Sequence, residues 1–191
     1  LTGSTLCPRV ANPQWRCLPF GALSAAALYR LLRLRSEVFV VEQACVFLDM
    51  DGLDARCLHV LGEVVAPTLP AARGSLPPKE ARFALGRPGG EAADPNGAVH
   101  LHAAARLVPP GVAFAEASIG RVVTAPGARS AGLGHALMAQ SVRLLEQLWG
   151  PQPIRIGAQA HLERFYNRHG FVSDNKPYVE DGIPHMEMIR K

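Results

Sequence analysis

Apolar residues recur at helical spacing in two long stretches of this chain and gather into short runs elsewhere. Over residues 25–35 they fall at Leu28, Leu31 and Leu32, behind Ser24, whose hydroxyl suits a helix N-cap. Over 135–149 they fall at Ala136, Leu137, Leu144, Leu145 and Leu148, with Gln, Arg and Glu between them, which is the pattern of an amphipathic helix. A third helix is predicted over 162–168, ended by Gly170 as its C′ residue. Strands are predicted over 15–20, 57–65, 99–108, 113–123 and 153–158, from Phe171 onward, and over 186–189. Residues 37–43 read as a helix end merging into an extended loop. The order is that of a mixed α/β single domain without internal repeats.

Two segments fall outside this pattern. Residues 1–13 hold Pro8 and Pro13 and no period, and read as a loose lead-in. Residues 66–98 place Pro67, Pro70, Pro77, Pro78, Pro88 and Pro95 among many Ala and Gly, with Phe83 the single aromatic. That composition buries little and predicts an insertion within a domain spanning 14–191. The chain begins at Leu1 rather than Met, as expected where a tag, a longer N-terminus or a targeting peptide has been removed.

Composition narrows the class. A chain of 191 residues suffices for one well-cored domain. The net charge is +4, but the Lys and Arg residues are scattered, so no basic stripe for nucleic acid is expected. No apolar run reaches membrane-spanning length. Cys7, Cys17, Cys45 and Cys57 form no C-x-x-C pair, and read as free thiols in a reducing compartment, the cytoplasm or an organelle such as the plastid stroma.

Candidate chemistry centres on residues 119–134. Ile119, Val122 and Val123 predict a strand, Pro126-Gly127 ends it, and Gly132 and Gly134 open the long helix. Small residues at a helix start leave backbone N–H groups pointing outward, a ready site for phosphate. A Walker A loop is excluded because no lysine follows, and a dinucleotide fingerprint because Leu137 stands where the third glycine belongs. What remains is R-x-x-G-x-G, made of Arg129, Gly132 and Gly134.

Other polar residues carry two readings each. Glu42, amid apolar neighbours, either serves as a base or grips a cationic amine, or is a helix-capping or salt-bridged glutamate. The acidic run 49–54 fails the register of a calcium loop, since its glycine is fourth and Val60 occupies position 12, so a tight turn at Gly52 is expected. His100 and His102 share a strand face and make a weak metal signal; no metal is expected.

Downstream lies a second motif, Gln159-Ala160-His161-Leu162-Glu163-Arg164-Phe165-Tyr166-Asn167-Arg168-His169-Gly170-Phe171. Together the two motifs resemble the GNAT superfamily of acyl-CoA-dependent N-acetyltransferases. The blocks 31–35, 38–43, 49–54, 119–123, 157–161 and 180–185, with His59, resemble its ElaA-like branch. The resemblance implies a single-domain GNAT fold, an α/β (α+β) arrangement with a mixed, partly splayed sheet flanked by helices and acyl-CoA in the splay. It implies that Arg129, Ser130, Ala131, Gly132, Leu133, Gly134 and His135 hold the pyrophosphate of acetyl-CoA, mostly through N–H groups. Val122 and Val123 are implied to pair with pantetheine through their backbone. Gln159 falls where the family usually has Asn, and Leu162 where it has a small residue. Tyr166 falls on the family's tyrosine and is the expected acid for the leaving thiolate. Glu42, Glu116 and His161 are candidate bases, with a water chain as the substitute. Asp51, Asp181 and His185 are expected around the acceptor. The implied function is direct transfer of an acetyl group to a primary amine, whether small, polyamine-like or peptidic. The alternative is a non-catalytic CoA-binding or interaction module of the same fold.

Overall fold

The protein is described by a computed structural model over residues 13–65, 99–129 and 132–191. The expected insertion at 66–98, all of the expected lead-in except Pro13, and Ser130 and Ala131 lie outside the described residues.

Seven strands form one mixed sheet in the order β1-β2-β3-β4-β5-β7-β6. The elements are β1 (Gln14–Pro19), α1 (Ala25–Arg35), β2 (Leu58–Val65), β3 (Val99–Val108), β4 (Ala117–Thr124), α2 (Leu133–Trp149), β5 (Ile154–Gln159), α3 (Glu163–Asn167), β6 (Val172–Glu180) and β7 (Ile183–Arg190). Every neighbouring pair is antiparallel except β4 and β5. Parallel neighbours need a long crossover, and α2 supplies it. β4 and β5 meet only through Ala117 opposite Ile154 and Ser118 opposite Arg155, then diverge. The splayed sheet flanked by helices is therefore present.

Period-two alternation divides the core. Val60, Ala103, Ala105 and Leu107 face one side and pack with Leu137, Met138 and Leu145 of α2. Leu61, Ala104 and Val123 face the other and pack with Leu31 and Leu34 of α1. Ser24 caps α1 as expected, accepting from the Ala27 N–H at 3.2 Å.

Three boundaries differ from the sequence pattern. Residues 37–43 stay helical: α1 runs into a π-helical segment, Ser36–Glu42, with Gln43 N–H donating to Val38 C=O at 3.1 Å. The expected strand at 113–123 begins only at Ala117, because Gly111 N–H turns back to the Phe114 carbonyl at 2.7 Å. The third helix is shortened to α3 by a preceding 3₁₀ turn, Ala160–Leu162. The β6–β7 hairpin closes with Asp181 and Gly182, both at positive φ (50° and 80°), the two-residue Asp-Gly turn whose twist matches its strands.

β4 carries a bulge. Its pairing with β3 shifts so that Arg121 and Val122 together oppose Ala105, and Arg121 sits at φ 49°. The acidic turn holds that strained residue. Asp49 pairs with Arg121 Nε at 2.9 Å and Arg35 Nε at 2.8 Å, while Arg35 Nη1 reaches Asp54 at 2.9 Å. Arg35 and Asp49 are 1% and 2% exposed, so these charges are satisfied almost wholly by each other.

Candidate active site

A cleft of about 570 Å³ opens where β4 and β5 diverge. One wall is β4 with Val122 and Val123, and the other includes Gln159 at the end of β5. Beyond Ser118 the β5-facing edge of β4 has no partner strand, so its backbone groups are available to a ligand.

The N-terminus of α2 lies at one end of the strand-loop-helix unit that begins with β4. Gly132 is its N-cap at φ 73°, a conformation that costs glycine nothing. The first intrahelical acceptor is the Gly132 carbonyl, reached by Ala136 N–H at 3.1 Å, so the N–H groups of Leu133, Gly134 and His135 have no acceptor within the helix. Phe165 of α3 lies 3.5 Å from where a Cβ on Gly134 would stand. An open strand edge leading toward an anion-ready helix start fits an extended amide arm carrying a pyrophosphate.

Side chains at this end differ from expectation. The His135 imidazole stacks on Phe165 at 4.7 Å and its Nδ1 lies 2.9 Å from His169 Nε2, so only its backbone is turned to the phosphate role. Arg129 does not stand free. Its guanidinium grips Glu42 in two bonds of 2.6 and 2.9 Å and touches the Thr124 carbonyl at 3.4 Å. Glu42 lines the cleft, but the bond to Arg129 holds its carboxyl below the usual range. As a free base Glu42 is thus corrected to one half of an ion pair.

Tyr166 is 8% exposed and lines the cleft, with its ring edge-on to Phe165 at 5.0 Å and Phe171 at 6.2 Å. Burial pushes its phenol up to about 12, so the hydroxyl keeps its proton at neutral pH. Gln159 donates from Nε2 to Gln43 Oε1 at 3.2 Å and spans the cleft.

Glu116 is a second correction. It does not line the cleft but bonds Arg155 at 2.9 and 3.1 Å, which lowers its carboxyl, in a cluster with Asp174 and Glu187. Asp51 is a third. It lines the cleft, yet Arg106 holds both its oxygens at 2.6 and 2.7 Å and Arg121 adds a bond at 3.1 Å. Burial alone would raise the Asp51 carboxyl, but these arginines bring it down to about 2. It is a structural anion rather than a grip for an amine.

Asp181 and His185 do line the cleft, at the hairpin end. Asp181 is exposed in the turn, and its backbone carbonyl accepts from Cys45 Sγ at 3.5 Å. His185 stacks on Tyr178 with 5.4 Å between centroids. His161 lines the cleft from the turn before α3. Sequence reasoning missed Tyr178, Arg106 and Arg121. Arg106 left one signal: a lone charge inside the apolar run Ala103-Ala104-Ala105-Arg106-Leu107-Val108, which a buried strand tolerates only with a partner.

Residues 95–191 match the family model described as acetyltransferase (GNAT) domain. The chain is 33% identical to the protein ElaA of Escherichia coli over 178 residues, covering 93% of this chain and 96% of that one. Its fold superposes on an acyl-CoA N-acyltransferase from Pseudomonas aeruginosa with a TM-score of 0.70, at 36% identity over 93% of this chain and 99% of that one. The crystal structure of Escherichia coli ElaA gives the same TM-score of 0.70 at 31% identity, covering 94% of this chain and 99% of that one.

Proposed function

This chain belongs to the GNAT family of acetyltransferases, an acyltransferase family with acetyl-CoA as co-substrate, and on that premise we propose that it transfers an acetyl group directly to a primary amine. The observation that carries the reading is the open β4 edge along a cleft that also holds the protonated phenol of Tyr166, with an α2 start whose first N–H groups have no acceptor within the helix. Bound acetyl-CoA supplies an acyl carbon activated by its thioester and a thiolate leaving group.

The chain's own groups do the rest. The β4 bulge and the splay free backbone donors at the cleft, where a developing oxyanion needs one. Tyr166 presents an O–H to the departing sulfur. A thiol titrates near ~8.5, so full transfer from a phenol at about 12 runs uphill, and Tyr166 acts mainly by donating a hydrogen bond. At the hairpin end Glu180 and Asp181 have no ion-pair partner among the described residues, which favours a cationic amine over an anionic acceptor. Direct transfer is supported by the state of Cys45, the one cleft-lining thiol among the described residues. Its Sγ is turned to a backbone carbonyl rather than to a base that would activate it.

The test is a thiol-release assay with acetyl-CoA over a library of primary amines, run beside thermal melting with acetyl-CoA. Turnover with at least one amine and a melting rise supports the reading. A melting rise with no turnover on any amine assigns a non-catalytic CoA-binding module instead.

A further inference from the structure

We propose that His185 is the general base of the transfer, using Nε2 to take the proton from the acceptor amine. The inference rests on the acyl-transfer reading above and adds a residue to it.

Its first support is a fixed tautomer. His185 Nδ1 lies 2.8 Å from the Ile183 carbonyl. A carbonyl only accepts, so Nδ1 carries the hydrogen, and in the neutral ring Nε2 is left with its lone pair. Nε2 lies across the ring from that anchored nitrogen, in a residue that lines the cleft.

Position is the second support. In the sheet, Gln159 of β5, His185 of β7 and Tyr178 of β6 are direct cross-strand partners. Such partners share a face, and all three line the cleft. The imidazole therefore sits one strand from Gln159, in the row that ends the splay. Tyr178 stacks on it at an interplanar angle of 25° and limits its rotation. Gly157 makes that stack possible, because a Cβ there would collide with the Tyr178 hydroxyl.

Elimination is the third. Glu42 is held by Arg129, Asp51 by Arg106 and Arg121, and Glu116 stands outside the cleft. His161 lines the cleft but is exposed, and no hydrogen bond orients its ring among the described residues. Glu180 and Asp181 also line the cleft but are exposed at the hairpin end, where they suit holding a cationic amine, whereas the half-buried His185 combines access with an oriented lone pair.

The step balances. An amine that arrives as ammonium first gives one proton to solvent; the lone pair of the neutral amine then forms the C–N bond, and the C–S bond gives its electron pair to sulfur. The proton shed by nitrogen passes to His185 Nε2 and is returned to the thiolate, so one amine and one thioester become one amide and one thiol.

The experiment uses the full chain with acetyl-CoA and an amine that the library screen finds active. His185→Ala is expected to lower kcat by about 10²- to 10⁴-fold while leaving the melting rise with acetyl-CoA unchanged, and added imidazole is expected to restore part of the loss. His185→Asn, whose amide nitrogen stands where Nδ1 stands and keeps a donor for the Ile183 carbonyl, is expected to fold and to show the same fall in kcat. Nitrogen-15 NMR of the wild-type imidazole, an observable independent of turnover, is expected to show Nδ1 protonated and Nε2 bare in the neutral ring. A kcat within about twofold of wild type, no rescue by imidazole, or a neutral ring protonated at Nε2 would overturn the assignment. Wild-type protein that binds acetyl-CoA and acetylates no amine removes the transfer reading and this base together. Wild-type turnover with an unimpaired His185→Ala removes the base alone.

Discussion

Arg129 and Glu42 hold each other across the cleft, and any pyrophosphate arriving at α2 competes with that carboxylate for the guanidinium. Both side chains are about two-fifths exposed, so the pair is weak and its release costs little. Glu42→Gln removes the competitor. Acetyl-CoA is then expected to bind a few-fold more tightly by calorimetry at low salt, with the gain shrinking as ionic strength rises. Tyr166 belongs to the same scale. Because its phenol donates a hydrogen bond more readily than a whole proton, Tyr166→Phe is expected to lower kcat by roughly tenfold to 10²-fold. The melting rise with acetyl-CoA should stay. An equal loss of acetyl-CoA binding would show that Tyr166 packs the cofactor wall instead.

At the scale of elements, the acidic turn and the β4 bulge form one unit. Arg121 holds its left-handed conformation because Asp49 and Asp51 take its guanidinium and Phe47 lies 5.8 Å beneath it. Asp49→Asn leaves two arginines short of a buried partner. It is expected to cost about 3 kcal/mol of stability, read as a fall in urea midpoint at unchanged m-value, since breaking a buried pair exposes the cost of the survivor. The helix start was legible from Gly132 and Gly134, and α1 from Ser24, because each is a local conformational need written in one or two residues. The bulge was not. Arg121 is an ordinary strand residue until Asp49, 72 positions away, reaches it. Asp51 was misread, and Glu42 was left between base and ion pair, for the same reason: a sequence shows a carboxylate but not the arginine that will neutralise it.

For the whole molecule, the arginine–aspartate network sets an acid limit. Asp51 titrates at about 2 in the fold, and Asp54 lies below its ordinary value because Arg35 and Arg106 outweigh its burial. Folded values below unfolded ones mean that these groups bind fewer protons when folded. Their contribution is complete above the unfolded carboxylate range and is lost as pH falls through the folded one. Burial holds His59, His102 and His169 below the ordinary imidazole range, so urea midpoints are expected to fall already below about pH 6.5, and the network's own loss is expected as a further drop between about 4 and about 2. An Asp51→Asn variant should show a shallower drop. A midpoint flat through that window would mean the network survives protonation.

The brevity of the contact between β4 and β5 has a mechanical consequence. Among the described residues, two residue pairs form the only ladder joining the half-sheet β1–β4 to the half-sheet β5–β7–β6. A molecule lying along the open β4 edge becomes an eighth strand in all but sequence, and makes the rungs the polypeptide omits. On the proposed reading, co-substrate bound along that edge would also complete the sheet, and release of the product would open it again.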